Sequence, residues 1–191
     1  MKHLHSPSPQ RAPLTRAGAD EATVAFVGRP NAGKSALFNR LTGSSAHVGN
    51  FPGVTVEVLE AQVRLPGGGR ALIYDLPGIY ALDPEALEPG TDEYVTWTFL
   101  SDRRDQRLVI VQVVDATQLG LGLALTQSVL RQPGLGPVIV AITQMDVLTA
   151  EGRAIDLPAL EATIGVPVLG LSARDPKARA TLLAAIERAL A

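Results

Sequence analysis

Eight consecutive residues constrain this chain more than any others: Gly28-Arg29-Pro30-Asn31-Ala32-Gly33-Lys34-Ser35, of the form G-x-x-x-x-G-K-[ST]. Before them stands Thr23-Val24-Ala25-Phe26-Val27, β-branched and aromatic enough for a buried strand, and Ser35-Ala36-Leu37-Phe38-Asn39-Arg40-Leu41 continues with apolar residues at helical spacing. Strand, glycine-rich loop and helix in that order form a phosphate cradle. The glycines let backbone N–H groups converge on phosphate oxygens, and the helix directs its positive end at them. Lys34 can reach the terminal phosphates and Ser35 can ligate Mg²⁺. The expected ligand is a nucleoside triphosphate.

A chain of 191 residues with 46% hydrophobic content can bury one substantial core, so we expect one G-domain-sized unit over residues 23–191. Residues 1–22 carry proline, serine and arginine without apolar periodicity and are expected to form a mobile tail; His3 and His5 there lack the organised partners of a metal site. Seventeen basic residues against 19 acidic ones, a net charge of −2, leave no electrostatic footprint for nucleic acid. The absence of cysteine excludes disulfides and thiolate metal sites and suits a reducing compartment. The apolar stretches Leu108 to Val114 and Val138 to Ile142 fall short of the roughly 20 residues of a membrane-spanning helix. Direct membrane insertion is not expected.

Beyond the first helix, Thr42-Gly43 supplies a stop, and Ser44 to Thr55 reads as a polar loop. Thr55 is the candidate to join a Mg²⁺ shell when a terminal phosphate is present, although on local sequence it is equally a threonine opening a strand. Alternation through Val56, Val58, Ala61, Val63 and Leu65, then Pro66-Gly67-Gly68-Gly69, then Ala71-Leu72-Ile73-Tyr74, predicts an antiparallel pair. The second of these strands ends in Asp75-Leu76-Pro77-Gly78. A carboxylate at the end of a buried strand can hold Mg²⁺, and the N–H of Gly78 can meet a terminal phosphate. Downstream, Leu108 to Asp115 is a strand covered on both faces, Gln118 to Arg131 a helix, Pro137 to Ile142 a strand, Val166 to Leu169 a last strand, and Pro176 to Ala191 a closing amphipathic helix. Alternating strands and helices make the sheet mainly parallel, with ligands beyond the carboxyl ends of its strands. Gly28, Asp75, Asp146 and Ser172 each follow a strand there.

The phosphate loop, Val48-Gly49-Asn50-Phe51-Pro52-Gly53-Val54-Thr55-Val56-Glu57, Asp75-Leu76-Pro77-Gly78-Ile79-Tyr80 and Thr91-Asp92-Glu93-Tyr94-Val95 together resemble the cytosolic G domain of FeoB-type ferrous iron transport proteins. The middle stretch discriminates, because most small GTPases share only the phosphate loop and D-x-x-G. The resemblance implies an α/β, P-loop GTPase fold with a mainly parallel sheet, one antiparallel edge strand and helices on both faces. It implies a GTP- and GDP-binding switch that hydrolyses GTP slowly. The alternatives are a nucleotide-sensing module with negligible turnover, or a free-standing soluble GTPase not tied to iron.

In this resemblance the nucleotide is held by Gly28, Arg29, Pro30, Asn31, Ala32, Gly33, Lys34, Ser35 and Ala36, and by Gly53, Val54 and Thr55 of the first switch loop. Asp75 and Gly78 complete the phosphate side. Mg²⁺ falls to Ser35, Thr55 and Asp75. A K⁺ ion is implied at Asn31, aided by carbonyls near Gly49 and Phe51, although Asn31 alone reads as a turn residue. Lys34, Asn31, Thr55 and Gly78 then carry catalysis. Thr143-Gln144-Met145-Asp146 stands where guanine is specified, and Asp146 would accept two hydrogen bonds that adenine cannot offer. Thr143 replaces the usual asparagine; losing one hydrogen bond is expected to weaken binding by about 0.5–1.5 kcal/mol. Ser172, Ala173 and Arg174 resemble the loop that meets guanine O6. Ile79 occupies the place of the glutamine that orients water in many GTPases, so intrinsic hydrolysis should be slow. Relatives continue into a membrane permease, so the expected partners are guanine nucleotide and a permease domain or another protein that engages the switch loops. The expected location is cytoplasmic, at the inner face of the cell membrane if the chain is part of a longer transporter.

Overall fold

The computed structural model describes residues 14–18, 20–43, 46–51, 56–104, 106–172 and 174–191. Seven strands, β1 (Glu21–Gly28), β2 (His47–Asn50), β3 (Glu57–Arg64), β4 (Arg70–Asp75), β5 (Leu108–Asp115), β6 (Val138–Thr143) and β7 (Val168–Gly170), form one sheet in the order β2-β3-β4-β1-β5-β6-β7. Strand β3 pairs antiparallel with both β2 and β4, and the pairings from β4 to β7 are parallel. Hence β3 is the strand that runs against the rest, with β2 outside it at the edge.

Helices cover both faces. On one face α1 (Lys34–Thr42) and α6 (Ala178–Ala189) bury Phe38, Leu41, Leu182 and Ile186 against Val24, Phe26, Ile73 and Val111. On the other, α2 (Asp92–Ser101) and α3 (Leu119–Leu130) bury Val95, Phe99, Leu125 and Val129 against Ala25, Val27, Tyr74 and Ile110. Short α4 (Met145–Ala150) and α5 (Leu157–Ile164) pack on β6 and β7 through Leu148, Leu157 and Leu160. Every residue of β5 is buried, which is why its sequence is almost continuously apolar. Local chemistry fixes the helix ends. The Thr91 hydroxyl accepts from the Tyr94 N–H at the start of α2, and Asp156 accepts from the Ala159 N–H at the start of α5.

Two expectations are corrected. The stretch read as polar loop contains β2, because Val48 to Asn50 find backbone partners on β3. The tail expected over residues 1–22 does not describe all of that stretch, of which residues 1–13 and 19 lie outside the described residues. Residues 14–18 lie against the sheet, Leu14 is buried, and β1 begins at Glu21. His3 and His5 lie outside the described residues. Among those described, no helix is long and apolar enough to cross a membrane.

Candidate functional site

The carboxyl ends of β1, β4, β6 and β7 meet at one edge of the sheet. After Gly28 the backbone turns sharply, with Asn31 at φ 63° and Gly33 at φ 81°, left-handed conformations that aim successive peptide groups inward before α1 begins. At the end of β4, Asp75 takes the Lys34 ammonium on Oδ1 and the Ser35 hydroxyl on Oδ2, the latter at 2.6 Å. Lys34 and Asp75 are almost wholly withdrawn from water. A buried carboxylate therefore lies where an ammonium and a hydroxyl converge.

Behind Asp75 the chain stays pressed to the loop. The Ile79 N–H donates to the Gly28 carbonyl at 3.0 Å, and a Cβ on Gly78 would lie 2.8 Å from the backbone nitrogen of Pro30. Position 78 admits only glycine at that approach. Ile79 is fully buried with Leu76 and Leu82, so its side chain faces the core. A cleft of about 480 Å³ opens above, lined by Arg29, Pro30, Asn31, Gly33, Lys34, Ser35, Ala36 and Gly78, with Asp92 from the first turn of α2. Arg29 also turns its guanidinium over the exposed ring of Tyr80, 5.0 Å from the ring centre.

Beside this cleft lies a second, of about 150 Å³, lined by Gly33, Ala36, Thr143, Gln144, Asp146, Val147, Ser172 and Arg174. One Asp146 oxygen accepts from the Arg174 guanidinium at 3.3 Å, in a pair open to solvent. The Ser172 hydroxyl accepts from the Arg174 N–H at 3.2 Å, holding the turn after β7. Thr143 behaves differently from the sequence expectation. Its hydroxyl is buried and donates to the Ala32 carbonyl at 2.6 Å, with the Val114 carbonyl at 3.1 Å. Thr143 thus ties the phosphate loop to β5 and β6. Gln144, at φ 58°, donates its amide to Asp115 at 2.8 Å, and Asp115 also accepts from the N–H and hydroxyl of Thr117.

The structure thus gathers Gly28 to Ala36, Asp75, Gly78, Thr143, Gln144, Asp146, Ser172 and Arg174 at one sheet edge. Gly53, Val54, Thr55 and Ala173 lie outside the described residues. Gly49 and Phe51 are not among the residues lining the phosphate cleft. Gly49 is paired with Val58, and Phe51 is buried beside Leu14 and Val58. Two participants escaped the sequence reading. Asp115 ends a β-branched run as Asp75 does, which is the signal that could have found it, while Asp92 carried only a helix-start pattern.

Comparison with known proteins agrees with this geometry. A family model described as Ferrous iron transport protein B matches residues 22–186. The Fe(2+) transporter FeoB of Escherichia coli (strain K12) is 38% identical over 168 residues, 87% of this chain and 21% of the relative. The Fe(2+) transport protein A/Fe(2+) transporter FeoB fusion protein of Porphyromonas gingivalis is 40% identical over 146 residues, 76% of this chain and 16% of the relative. This chain therefore spans about a fifth of the length of the curated relatives it matches. Among solved structures, the G domain of the T. maritima FeoB iron transporter superposes with a TM-score of 0.76 at 30% identity, covering 90% of this chain and 99% of that one. A mutant S. thermophilus NFeoB bound to GDP gives a TM-score of 0.74 at 35% identity, covering 86% and 61%. With the fold, the cradle and the matched length in agreement, the chain belongs to the ferrous iron transport protein B family and forms its G domain.

Proposed function

We propose that this chain binds GTP and GDP in the paired clefts and hydrolyses GTP slowly to GDP and phosphate, as the switch domain of a ferrous iron transporter. The convergence of Lys34, Ser35 and Asp75 beneath the phosphate loop carries the reading, and the GDP bound to the S. thermophilus relative supports it. The larger cleft takes the phosphates, and the smaller one, lined by Asp146, Ser172 and Arg174, takes the base, with Ala173 of the same loop expected to join them. An all-oxygen pair such as Ser35 Oγ and Asp75 suits a hard divalent cation. With Thr55 they would hold Mg²⁺, which when bound neutralises phosphate charge. Lys34 adds a second positive charge, and Gly78, which lines the same cleft, would donate its backbone N–H to the terminal phosphate. Gly53 and Val54, outside the described residues, would join Thr55 in this set. The described arrangement does not assemble the K⁺ set, since Asn31 alone of its members lines the cleft. Equal hydrolysis in potassium and sodium salts would remove that ion from the reading.

The buried Ile79 favours a second reading, a nucleotide sensor with negligible turnover, because no side chain directly after D-x-x-G reaches out to orient water. Single-turnover hydrolysis at saturating Mg²⁺ and K⁺ separates the two. Because the relatives are about five times longer, a permease domain as partner and a place at the cytoplasmic face of the membrane complete the proposal. The direct test is Lys34→Ala. Losing a charge-assisted hydrogen bond of about 1.5–3 kcal/mol should weaken binding of a non-hydrolysable GTP analogue at least about tenfold in calorimetry, with the far-UV circular dichroism still that of a folded chain although the uncompensated Asp75 lowers its Tm. Unchanged affinity would overturn the assignment.

A further inference from the structure

Asp115 ends β5, the strand between β1 and β6, yet it lines neither the phosphate cleft nor the smaller one beside it. It is 7% exposed, and among the described residues no cation forms an ion pair with it. Its charge is met by neutral donors. The N–H and hydroxyl of Thr117 reach Oδ1 at 2.8 and 2.7 Å, and the Gln144 amide reaches Oδ2 at 2.8 Å. The Thr117 bonds have a plain use, since they cap the short helical turn Ala116–Gln118. A cap needs one acceptor oxygen, which serine, threonine or asparagine supplies without burying a charge. The second oxygen is spent on Gln144.

Gln144 is where the chain turns from β6 into α4. Its φ of 58° and ψ of 28° are left-handed, a conformation that a residue with a Cβ keeps only when its surroundings hold it. Its carbonyl accepts from the Val147 and Leu148 N–H groups, each at 3.1 Å, which starts the helix. Asp146 stands in the first turn of α4 and lines the smaller cleft together with Gln144. Its ion pair with Arg174 is open to solvent and holds it weakly. The direction of the Asp146 carboxylate therefore depends on the backbone of the turn, and the turn on what the Gln144 amide grips. We propose that Asp115 is a positioning residue for base selection: by gripping that amide it fixes the left-handed turn that aims Asp146 into the smaller cleft, and so sets how strongly the chain prefers a purine with a 2-amino group to one without. The inference rests on the reading of Asp146 as the group that meets the base.

Guanine offers N1–H and its 2-amine to a carboxylate, and hypoxanthine offers N1–H alone. GDP and inosine diphosphate therefore report on the placement of the carboxylate rather than on affinity as a whole. Both compete for the full chain against a fluorescent GDP analogue, and the ratio of their dissociation constants is read. In the parent chain, one hydrogen bond to a charged group should favour GDP at least about tenfold. Asp115→Ala and Gln144→Leu should each lower that ratio at least about fivefold, and the double variant should lower it no further than either alone, because both remove the same bond. Asp115→Asn should stay within about twofold of the parent, since asparagine still accepts from Thr117 and the Gln144 amide can turn over to accept from it. Amide hydrogen exchange at Val147 and Leu148 without nucleotide should quicken in Asp115→Ala and Gln144→Leu and not in Asp115→Asn. Should Asp115→Ala fail to fold, Gln144→Leu carries both readouts. Unchanged exchange, or faster exchange with an unchanged ratio, overturns the inference. So do additive losses in the double variant, or a ratio that falls as far in Asp115→Asn as in Asp115→Ala. A parent ratio near one, or a ratio that Asp146→Asn leaves unaltered, overturns the base-pocket reading itself and the inference with it.

Discussion

Thr143→Val removes a hydroxyl and little else, which makes it a sharp probe of how the two clefts are joined. The threonine hydroxyl lies 2.6 Å from the Ala32 carbonyl and 3.1 Å from that of Val114, and the residue is 3% exposed. A hydroxyl carries one hydrogen, so the shorter contact is the principal bond and the longer one shares it. Removing it forfeits about 0.5–1.5 kcal/mol for the bond, and a buried carbonyl deprived of its donor raises the loss to about 2 kcal/mol. Valine fills the same volume without restoring a donor. For a domain of this length, about 2 kcal/mol corresponds to a fall in Tm of about 4–8 °C. Thermal unfolding followed by circular dichroism without nucleotide reads this directly. The same geometry predicts what should not change. The hydroxyl is spent on the phosphate loop, so discrimination of GDP from ADP or XDP should stay within about twofold of the parent, and any loss of affinity should fall on all three alike. A Tm within 1 °C of the parent (about 0.5 kcal/mol or less), or a loss confined to guanine, would refute the argument and return Thr143 to the base-reading role expected from its motif.

Asp146→Asn should lower GDP affinity at least about tenfold and raise relative affinity for XDP in competition binding, because the amide presents a donor where guanine needs an acceptor. An unaltered order of GDP, XDP and ADP would displace Asp146 from the base pocket. Burial raises the Tyr74 phenol from 10.0 to about 12, opposed by the Arg103 guanidinium and reinforced by Glu60 and Glu21. The folded chain thus holds this proton more tightly than the unfolded one, so the stability it contributes is whole below pH 10 and is lost as pH rises towards 12. Unfolding midpoints in denaturant should fall across that window and fall less steeply in Tyr74→Phe; parallel curves would remove Tyr74 as the cause.

The residues that were legible in the sequence are those whose local pattern has one physical outcome. Lys34 and Asp75 belong to this group, because a lysine closing a glycine-rich loop between strand and helix, or a carboxylate after four apolar residues, has few other uses; Gly78 reads equally as part of a Pro77-Gly78 turn, and only its approach to Pro30 in the structure requires glycine. The parallel centre of the sheet was equally readable from β1, β5 and β6, whose uninterrupted apolar runs demand cover on both faces. What escaped depends on contacts between distant segments. Strand β2 is short, with Gly49 and Asn50 in it, and forms because β3 offers it a ladder. Residues 14–18 have no periodicity at all, and their order comes from Glu60 and Tyr74, 45 and 59 residues away from Thr15. The direction of the Thr143 hydroxyl was likewise invisible, since the motif names the residue and the packing of Ala32 decides which way it bonds.

Contacts between distant segments also explain how a charge-dense cradle is held together. An ammonium and a carboxylate taken out of water each lose several kcal/mol of solvation, and their mutual attraction offsets the loss only when both are present. Asp75 therefore holds Lys34 and Ser35 together. A ligand that draws Lys34 away must leave Asp75 compensated, or it exposes a buried charge at a cost of about 3–5 kcal/mol. A bare phosphate answers only the lysine. On the proposed reading, an anion arriving with a divalent cation would answer all three groups, which would favour a metal-bound nucleotide over a free one.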